Sequence, residues 1–394
     1  MRIKQISVNG LFGIFDHVIP LNMDERITII HGPNGFGKTA ILRILNSFLK
    51  SRDSELLTIP YKNFRIEFDD DIIIDIIPNN VDNAEDFPGE FKRYNILFNL
   101  DKNSKMVDLQ QKPESLEELK KNINIRLIES QRLLNSVPKR SRRQSAETHS
   151  MVSTVSAYSD ELARLMQRKF REYATISESL DRTFPIRIVK HKPSADVSNE
   201  QLRHKFSELE ATRSRLVAVG LLDKDENSEV QIQPQDIDES TKNALLVYVE
   251  DMEKKLSVFA EIASKIELLK KIINNKFAYS YKEINFSKEK GFIFTTFYNS
   301  SLSNSKTLSA MDLSSGEQHE LVLLYELLFK VQPKSLVLID EPELSLHVGW
   351  QVQFLKDLRE ITQLADLDIL MATHSPDIIQ DRWDLTVELK GLEK

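Results

Sequence analysis

Eight residues constrain this chain more than any others: Gly32-Pro33-Asn34-Gly35-Phe36-Gly37-Lys38-Thr39. They satisfy the phosphate-loop pattern G-x-x-x-x-G-K-[ST] at every required position, and their surroundings agree. The hydrophobic run Arg26–Ile30 reads as a buried strand ending in His31-Gly32. From Lys38 to about Lys50, the spacing of Ile41, Leu42, Ile44, Leu45, Phe48 and Leu49 reads as a helix. Glycine lets successive backbone N–H groups turn toward one anion, and the helix N-terminus adds partial positive charge. The chain uses glycine sparingly, 11 in 394 residues, roughly 3% against an average near 7%. Three of them lie in this loop, and Gly316 lies in a second short motif, Ser314-Ser315-Gly316-Glu317. A nucleotide-contacting set from Gly32 to Ala40 is expected, with Lys38 on the β- and γ-phosphates and the Thr39 hydroxyl on Mg²⁺.

Composition narrows the alternatives. No cysteine is present, which excludes disulfides, thiolate zinc sites, iron–sulfur clusters and a cysteine nucleophile. No apolar run approaches the roughly 18–20 residues of a membrane span. The N-terminus, Met1 to Val8, alternates like a strand and lacks the apolar core of a signal peptide. A soluble, cytoplasmic protein without a membrane partner is expected. A net charge of −7 does not advertise nucleic-acid binding, although a local patch could support it.

The chain divides into three parts. An N-terminal lobe, 1–130, holds strand-like segments at Ile3–Val8, His17–Leu21, Phe64–Phe68, Ile72–Ile77 and Ile123–Ile128, with a hairpin through Asp69-Asp70. A helical insertion follows at 131–277, with a flexible basic linker at 138–150 that carries Arg140, Arg142 and Arg143. Its helical patterns lie near Ser156–Leu180, Ser198–Val219 and Asp238–Phe277, with Pro185, Pro193 and Pro234 as breaks between them. The last pattern predicts one helix of about 40 residues, roughly 60 Å long, forming an arm. A C-terminal lobe, 278–394, contains strands at Tyr281–Phe286, Gly291–Phe297, Leu336–Ile339, Asp368–Ala372 and Asp384–Leu389. Helices at Gly316–Lys330 and Val348–Gln363 alternate with them. Strands alternating with helices imply a mostly parallel sheet with its working loops at the strands' carboxyl ends.

Those strand ends carry chemistry. Leu336–Ile339 runs into Asp340-Glu341, and a buried strand rarely ends in adjacent acids without a cation nearby. Asp340 is expected to hold Mg²⁺, and Glu341 to polarise an attacking water. Asp368–Ala372 runs into Thr373-His374-Ser375-Pro376, which brings His374 to the γ-phosphate. Gln131, just after the Ile123–Ile128 strand, is a further candidate for Mg²⁺ and water. Ser314-Ser315-Gly316 opens a helix, as an N-cap or as a second anion site.

Together these motifs resemble the ABC-type ATPases of the AAA family, whose signature LSGGQ binds the γ-phosphate of a nucleotide held by the other subunit. Leu313-Ser314-Ser315-Gly316-Glu317-Gln318 looks like the variant of the SMC, RecF and OLD-like branch. Thr39 and Ser314 stand 275 positions apart, which suits a head with a long helical insertion rather than a transporter subunit. The resemblance implies an α/β P-loop NTPase head with a mixed sheet flanked by helices. It also implies ATP and Mg²⁺ as cofactors and a homodimer or higher homo-oligomer. Ser314, Ser315, Gly316, Glu317 and Gln318 of one chain would complete the site of the other. The segments around Leu338-Ile339-Asp340-Glu341-Pro342-Glu343 and Ala372-Thr373-His374-Ser375-Pro376 look closest to ATPase subunits of anti-phage systems such as Septu, retron-associated and PARIS systems. There a separate nuclease or toxin is the effector. Eighteen residues follow Pro376, too few for a fused nuclease domain, so the effector is expected on another chain. His347 departs from the family, which has an aspartate near that position. A RecF-like DNA repair or recombination ATPase, and an ATP-loaded scaffold without turnover, are the alternatives.

Overall fold

The computed structural model describes residues 1–51, 56, 58–78, 94–99, 107–108, 118, 120–129, 134–136, 151–190, 198–224, 239–297, 306–344 and 346–391. Two compact units form: Met1–Arg132 with Leu323–Lys394, and Leu133–Val322. The first begins with β1 (Ile3–Leu11), β2 (Phe15–Pro20), β3 (Ile27–His31), α1 (Lys38–Leu49), β4 (Asn63–Phe68) and β5 (Ile73–Pro78). It continues through β6 (Tyr94–Asn99), β7 (Val107–Asp108) and β8 (Ile125–Ile128). The second carries β9 (Leu134–Ser136), β10 (Met151–Ser153), α2 (Thr154–Lys190), α3 (Asn199–Ala218), α4 (Glu239–Ser257) and α5 (Ala260–Phe277). After these come β11 (Lys282–Ser287), β12 (Gly291–Thr296), β13 (Lys306–Leu308) and α6 (Ser315–Tyr325). A π-helical turn, Glu326–Lys330, leads to β14 (Leu336–Asp340), α7 (Val348–Ala365), β15 (Asp368–Ala372), α8 (Pro376–Ile379) and β16 (Thr386–Glu388).

Strands of both senses occur in the first unit, sorted into two sheets. Five strands run parallel in the order β16-β3-β15-β14-β8. The central ones are nearly pure hydrocarbon, LVLID in β14 and DILMA in β15, because a parallel sheet is covered on both faces. The other sheet is antiparallel, ordered β2-β1-β4-β5-β6-β7. Alternate residues of β4 are buried, as a sheet with one solvated face requires. Its inner residues Ile6, Val8, Phe64 and Ile66 share one core with Ile41, Leu45 and Phe48 of α1 and with Leu338 and Leu370 of the parallel sheet. Burying each such side chain is worth roughly 1.5–3 kcal/mol. The hairpin of β4 and β5 turns through Asp69-Asp70-Asp71, as the sequence indicates. The ladder pairs Asp340 with Ala372 and Ala372 with Ile30, so β14, β15 and β3 end level with one another.

The second unit departs from the sequence reading in three places. Residues 278–322, assigned there to the C-terminal lobe, cluster with the helical insertion. Pro185 does not break a helix but lies inside the 37-residue α2. Side chains cover the carbonyls around the missing N–H. The Thr183 hydroxyl donates to Ser179 (3.0 Å) and Leu180 (3.2 Å), and Arg187 donates to Leu180 (2.7 Å) while also pairing with Asp251 of α4. Finally, the expected 40-residue helix is two helices, α4 and α5, of 19 and 18 residues. No proline or glycine marks the break. Ser257 turns its hydroxyl back to the Lys254 carbonyl, Val258 is a poor helix former, and Phe259 is buried with its ring 5.3 Å from that of Tyr173. Pro193, Pro234 and the basic linker with Arg140, Arg142 and Arg143 lie outside the described residues. Among the described residues no helix is long and apolar enough to cross a membrane.

Burial of Phe259 therefore holds the α4–α5 break. Phe259→Ala should destabilise the helical unit by about 3–5 kcal/mol, read as a lower urea midpoint in far-UV circular dichroism.

Candidate nucleotide site

The phosphate loop joins β3 to α1. Gly35 and Gly37 hold φ of 87° and 92°, a region that side-chain-bearing residues avoid, and this lets the loop curl around one point. Gly37 precedes the first turn of α1, whose N-terminal turn contains no acidic residue to oppose its positive end. Lys38 is buried, and its ammonium donates to the Gly32 carbonyl at 2.7 Å and the Pro33 carbonyl at 3.2 Å. The loop is braced from β2. The Phe36 ring lies 5.0 Å from that of Phe15, and His17 Nε2 reaches the Phe36 carbonyl at 3.0 Å. Burial pushes the His17 pKa down, against the opposing pull of the Phe36 carbonyl and Asp16, so His17 acts as a neutral donor to that carbonyl.

The level ending of the parallel strands brings the other expected groups to this loop. The Thr39 hydroxyl donates to Asp340 Oδ1 at 3.0 Å. Burial, joined by the charges of Glu341 and Glu129, pushes the Asp340 carboxyl above the usual range despite Thr39 and Arg43. A hydroxyl and a carboxylate, both hard oxygen donors, sit in a site whose surplus negative charge a divalent cation would offset. Mg²⁺ fits this set, since it takes one or two protein oxygens and fills its remaining positions with phosphate and water. Glu341 follows at φ 46°, a strained value for a residue with a side chain, and its N–H donates to the Ala372 carbonyl at 2.9 Å. His374 Nδ1 lies 3.9 Å from Glu341 Oε1. Gln131 lies outside the described residues.

Sequence reasoning missed Glu343. Its buried Oε1 accepts from the Thr373 hydroxyl (2.8 Å) and the His374 backbone N–H (2.9 Å), and it lies 3.0 Å from His374 Nδ1. The signal was present as a third acid in Asp340-Glu341-Pro342-Glu343, but nothing local tells a buried acid from a solvated one. Across the same loop, Ser375 donates its hydroxyl to Gln351 of α7 at 2.6 Å.

The second short motif lies in the other compact unit. Ser314 and Glu317 form a capping box at the start of α6: the Ser314 N–H donates to Glu317 Oε2 (2.7 Å), and the Glu317 N–H to Ser314 Oγ (3.3 Å). The Glu317 carboxylate is turned inward, where it accepts from Ser280 (2.7 Å) and Lys282 (2.8 Å). Burial pushes its pKa up, but bonds from Lys282, Ser280 and Ser314 outweigh this and hold it below the usual range. Gln318 braces the loop through the Leu313 carbonyl at 2.8 Å. Glu317 and Gln318 thus shape the loop, while Ser314 and Ser315 remain exposed. His347 caps α7, its Nδ1 accepting from the Gly349 N–H at 3.2 Å.

The raised Asp340 pKa fixes a sign. The folded chain keeps this proton longer than the unfolded chain, so stability falls as pH rises from the ordinary 3.8 through the raised value. Asp340→Asn should therefore raise the Tm of the nucleotide-free chain at neutral pH, and the gain should vanish near pH 4. Scanning calorimetry at the two pH values checks it.

Comparison with known proteins adds the lineage. Among solved structures the chain is similar to the Smc head domain of Pyrococcus furiosus with an extended coiled coil, bound to the C-terminal domain of ScpA. Identity there is 14% and the TM-score 0.36, over 99% of this chain and 94% of that one. It is also similar to an Smc head bound to the C-winged helix domain of ScpA, at 12% identity and TM-score 0.41, over 96% and 91% of the two chains. The SMC head domain of Thermotoga maritima matches at 12% and 0.40, over 96% and 92%. No curated protein matches significantly. The family model of the AAA ATPase domain matches residues 1–379, and the chain belongs to that family.

Proposed function

We propose that this chain binds and hydrolyses ATP as a head-to-head dimer, and that the cycle controls a separate effector protein, a nuclease or toxin, in anti-phage defence. The observation that carries the ATPase reading is the convergence of Lys38, Thr39, Asp340, Glu341 and His374 at the level ends of three parallel strands. Lys38 exchanges its loop carbonyls for the β- and γ-phosphates. Thr39 and Asp340 would hold Mg²⁺, which would supply positive charge against the phosphates when bound. Glu341 takes a proton from the attacking water, and His374 contacts the γ-phosphate. Exposed Ser314 and Ser315, with Gly316 at a helix N-terminus, suit the γ-phosphate of a nucleotide held by a second copy. Dimer closure then depends on ATP, and reopening on its hydrolysis. The defence role rests on motif resemblance around Asp340-Glu341-Pro342-Glu343 and Thr373-His374-Ser375-Pro376.

One observation favours a second reading, a DNA repair or recombination ATPase. Arg164, Arg168, Arg171 and Arg182 of α2 are exposed, and their spacing puts them on one helix face. Backbone phosphates would suit that face. Binding to duplex DNA that weakens steeply with salt, and is lost on replacing these arginines with glutamine, would favour this reading.

Two outcomes test the ATPase. Glu341→Gln should keep nucleotide affinity, lower steady-state phosphate release by about 10²–10⁴-fold, and accumulate an ATP-dependent dimer in light scattering. Turnover at the wild-type rate would remove Glu341 as the base, and absence of turnover in the wild type would leave the ATP-loaded scaffold. Lys38→Ala should weaken ATP binding roughly 10–100-fold by calorimetric titration, the loss of a charge-assisted contact.

A further inference from the structure

We infer that Glu343 is the positioning residue of the His374 ring: it fixes the ring's orientation and keeps the proton on Nδ1, so that Nε2 is the nitrogen that meets the γ-phosphate or its water. This rests on the ATPase reading for its catalytic meaning, but not for its geometry. Glu343 lies two residues beyond the strained Glu341, and its side chain is 5% exposed against 48% for His374. A carboxylate so buried is stable only when donors surround it. Two hydrogen bonds converge on the single atom Oε1, from the Thr373 hydroxyl at 2.8 Å and the His374 N–H at 2.9 Å, and His374 Nδ1 lies 3.0 Å from the same oxygen. Oε2 has no partner among the described residues. These two donors fix the carboxylate beside the His374 backbone, and the ring brings Nδ1 up against it. An acceptor at Nδ1 requires a proton there, and the ring's other nitrogen is left for chemistry. Thr373 in turn accepts from the Ser375 N–H at 3.0 Å, which closes the loop around the histidine. A purely structural acid would need only the bonds from the Thr373 hydroxyl and the His374 N–H.

The test reads the ring directly. In ¹⁵N NMR of the nucleotide-free chain, with His374 assigned by subtracting the spectrum of His374→Gln, Nδ1 should be the protonated nitrogen. Glu343→Gln, which keeps an oxygen acceptor, should preserve that pattern. Glu343→Ala should convert the ring to the Nε2–H form and lower kcat roughly 10–100-fold, with KM for ATP within about twofold. An Nε2–H ring in the wild type overturns the inference, whether or not any variant folds. So does a folded Glu343→Ala chain with wild-type ring shifts and kcat. If the wild type releases no phosphate, the ATPase reading fails, while the ring shifts still decide what Glu343 does.

Discussion

The backbone ladder that joins β3, β15 and β14 is the constraint on which the rest depends. It pairs Ile30 with Ala372 and Ala372 with Asp340, so three strands from distant parts of the chain stop on one line. Each strand then delivers its next residues to the same edge: the phosphate loop, Thr373-His374, and Asp340-Glu341. A slip of one residue in a buried strand would exchange its side chains between two covered faces that are packed against different neighbours, so the close packing of the core enforces the register. The site needs no separate device to align its parts. The burial that stabilises Leu338, Leu370 and Ile30 also sets the Thr39–Asp340 distance of 3.0 Å.

The two ends of this sheet treat charge in opposite ways. Where β15 begins, Asp368 receives Arg2 at 2.5 Å and Arg26 at 2.9 Å, and Arg26 also reaches Asp366 at 2.5 Å. Both of these acids have a guanidinium, and the pairs fix the start of β15 beside the start of β3. At the other end, burial, with the charges of Glu341 and Glu129, raises the Asp340 pKa despite the Thr39 hydroxyl and Arg43. An end built for stability supplies its own cations. An end where Asp340 keeps a raised pKa despite Arg43, next to a helix N-terminus free of acids, suits the cation and anion of the proposed function.

Much of this was legible because the signals were local. A phosphate loop, four-residue apolar strands ending in acids or histidine, and a hairpin through three aspartates are all written in adjacent residues. The failures were all non-local. Proline at 185 looked like a break because the Arg187 that donates to Leu180 is itself held by Asp251, 64 residues away. The α4–α5 break was invisible because Phe259 is held by Tyr173 of another helix. Residues 278–322 alternate with helices much as the C-terminal strands do, so periodicity alone could not assign them to the other unit. Glu343 read as a solvated turn acid, since the groups that hold it come from a strand end 30 residues away.

Four acids of the motifs show how surroundings divide one functional group into separate tasks. Asp340 is buried beside a hydroxyl and like charges, which suits it to a metal. Glu341 sits on strained backbone at φ 46° and is only partly covered, which leaves its carboxylate accessible to water. Glu343 is buried among donors, which suits it to holding another residue still. Glu317 meets Lys282 and Ser280 inside its own unit, which hold its carboxylate ionised against burial, and it closes the Ser314 turn. In the proposed function, two of these tasks would face the nucleotide and two would support what faces it. The supporting pair is the more deeply paired, because an acid that fixes geometry must have its bonds before any ligand arrives.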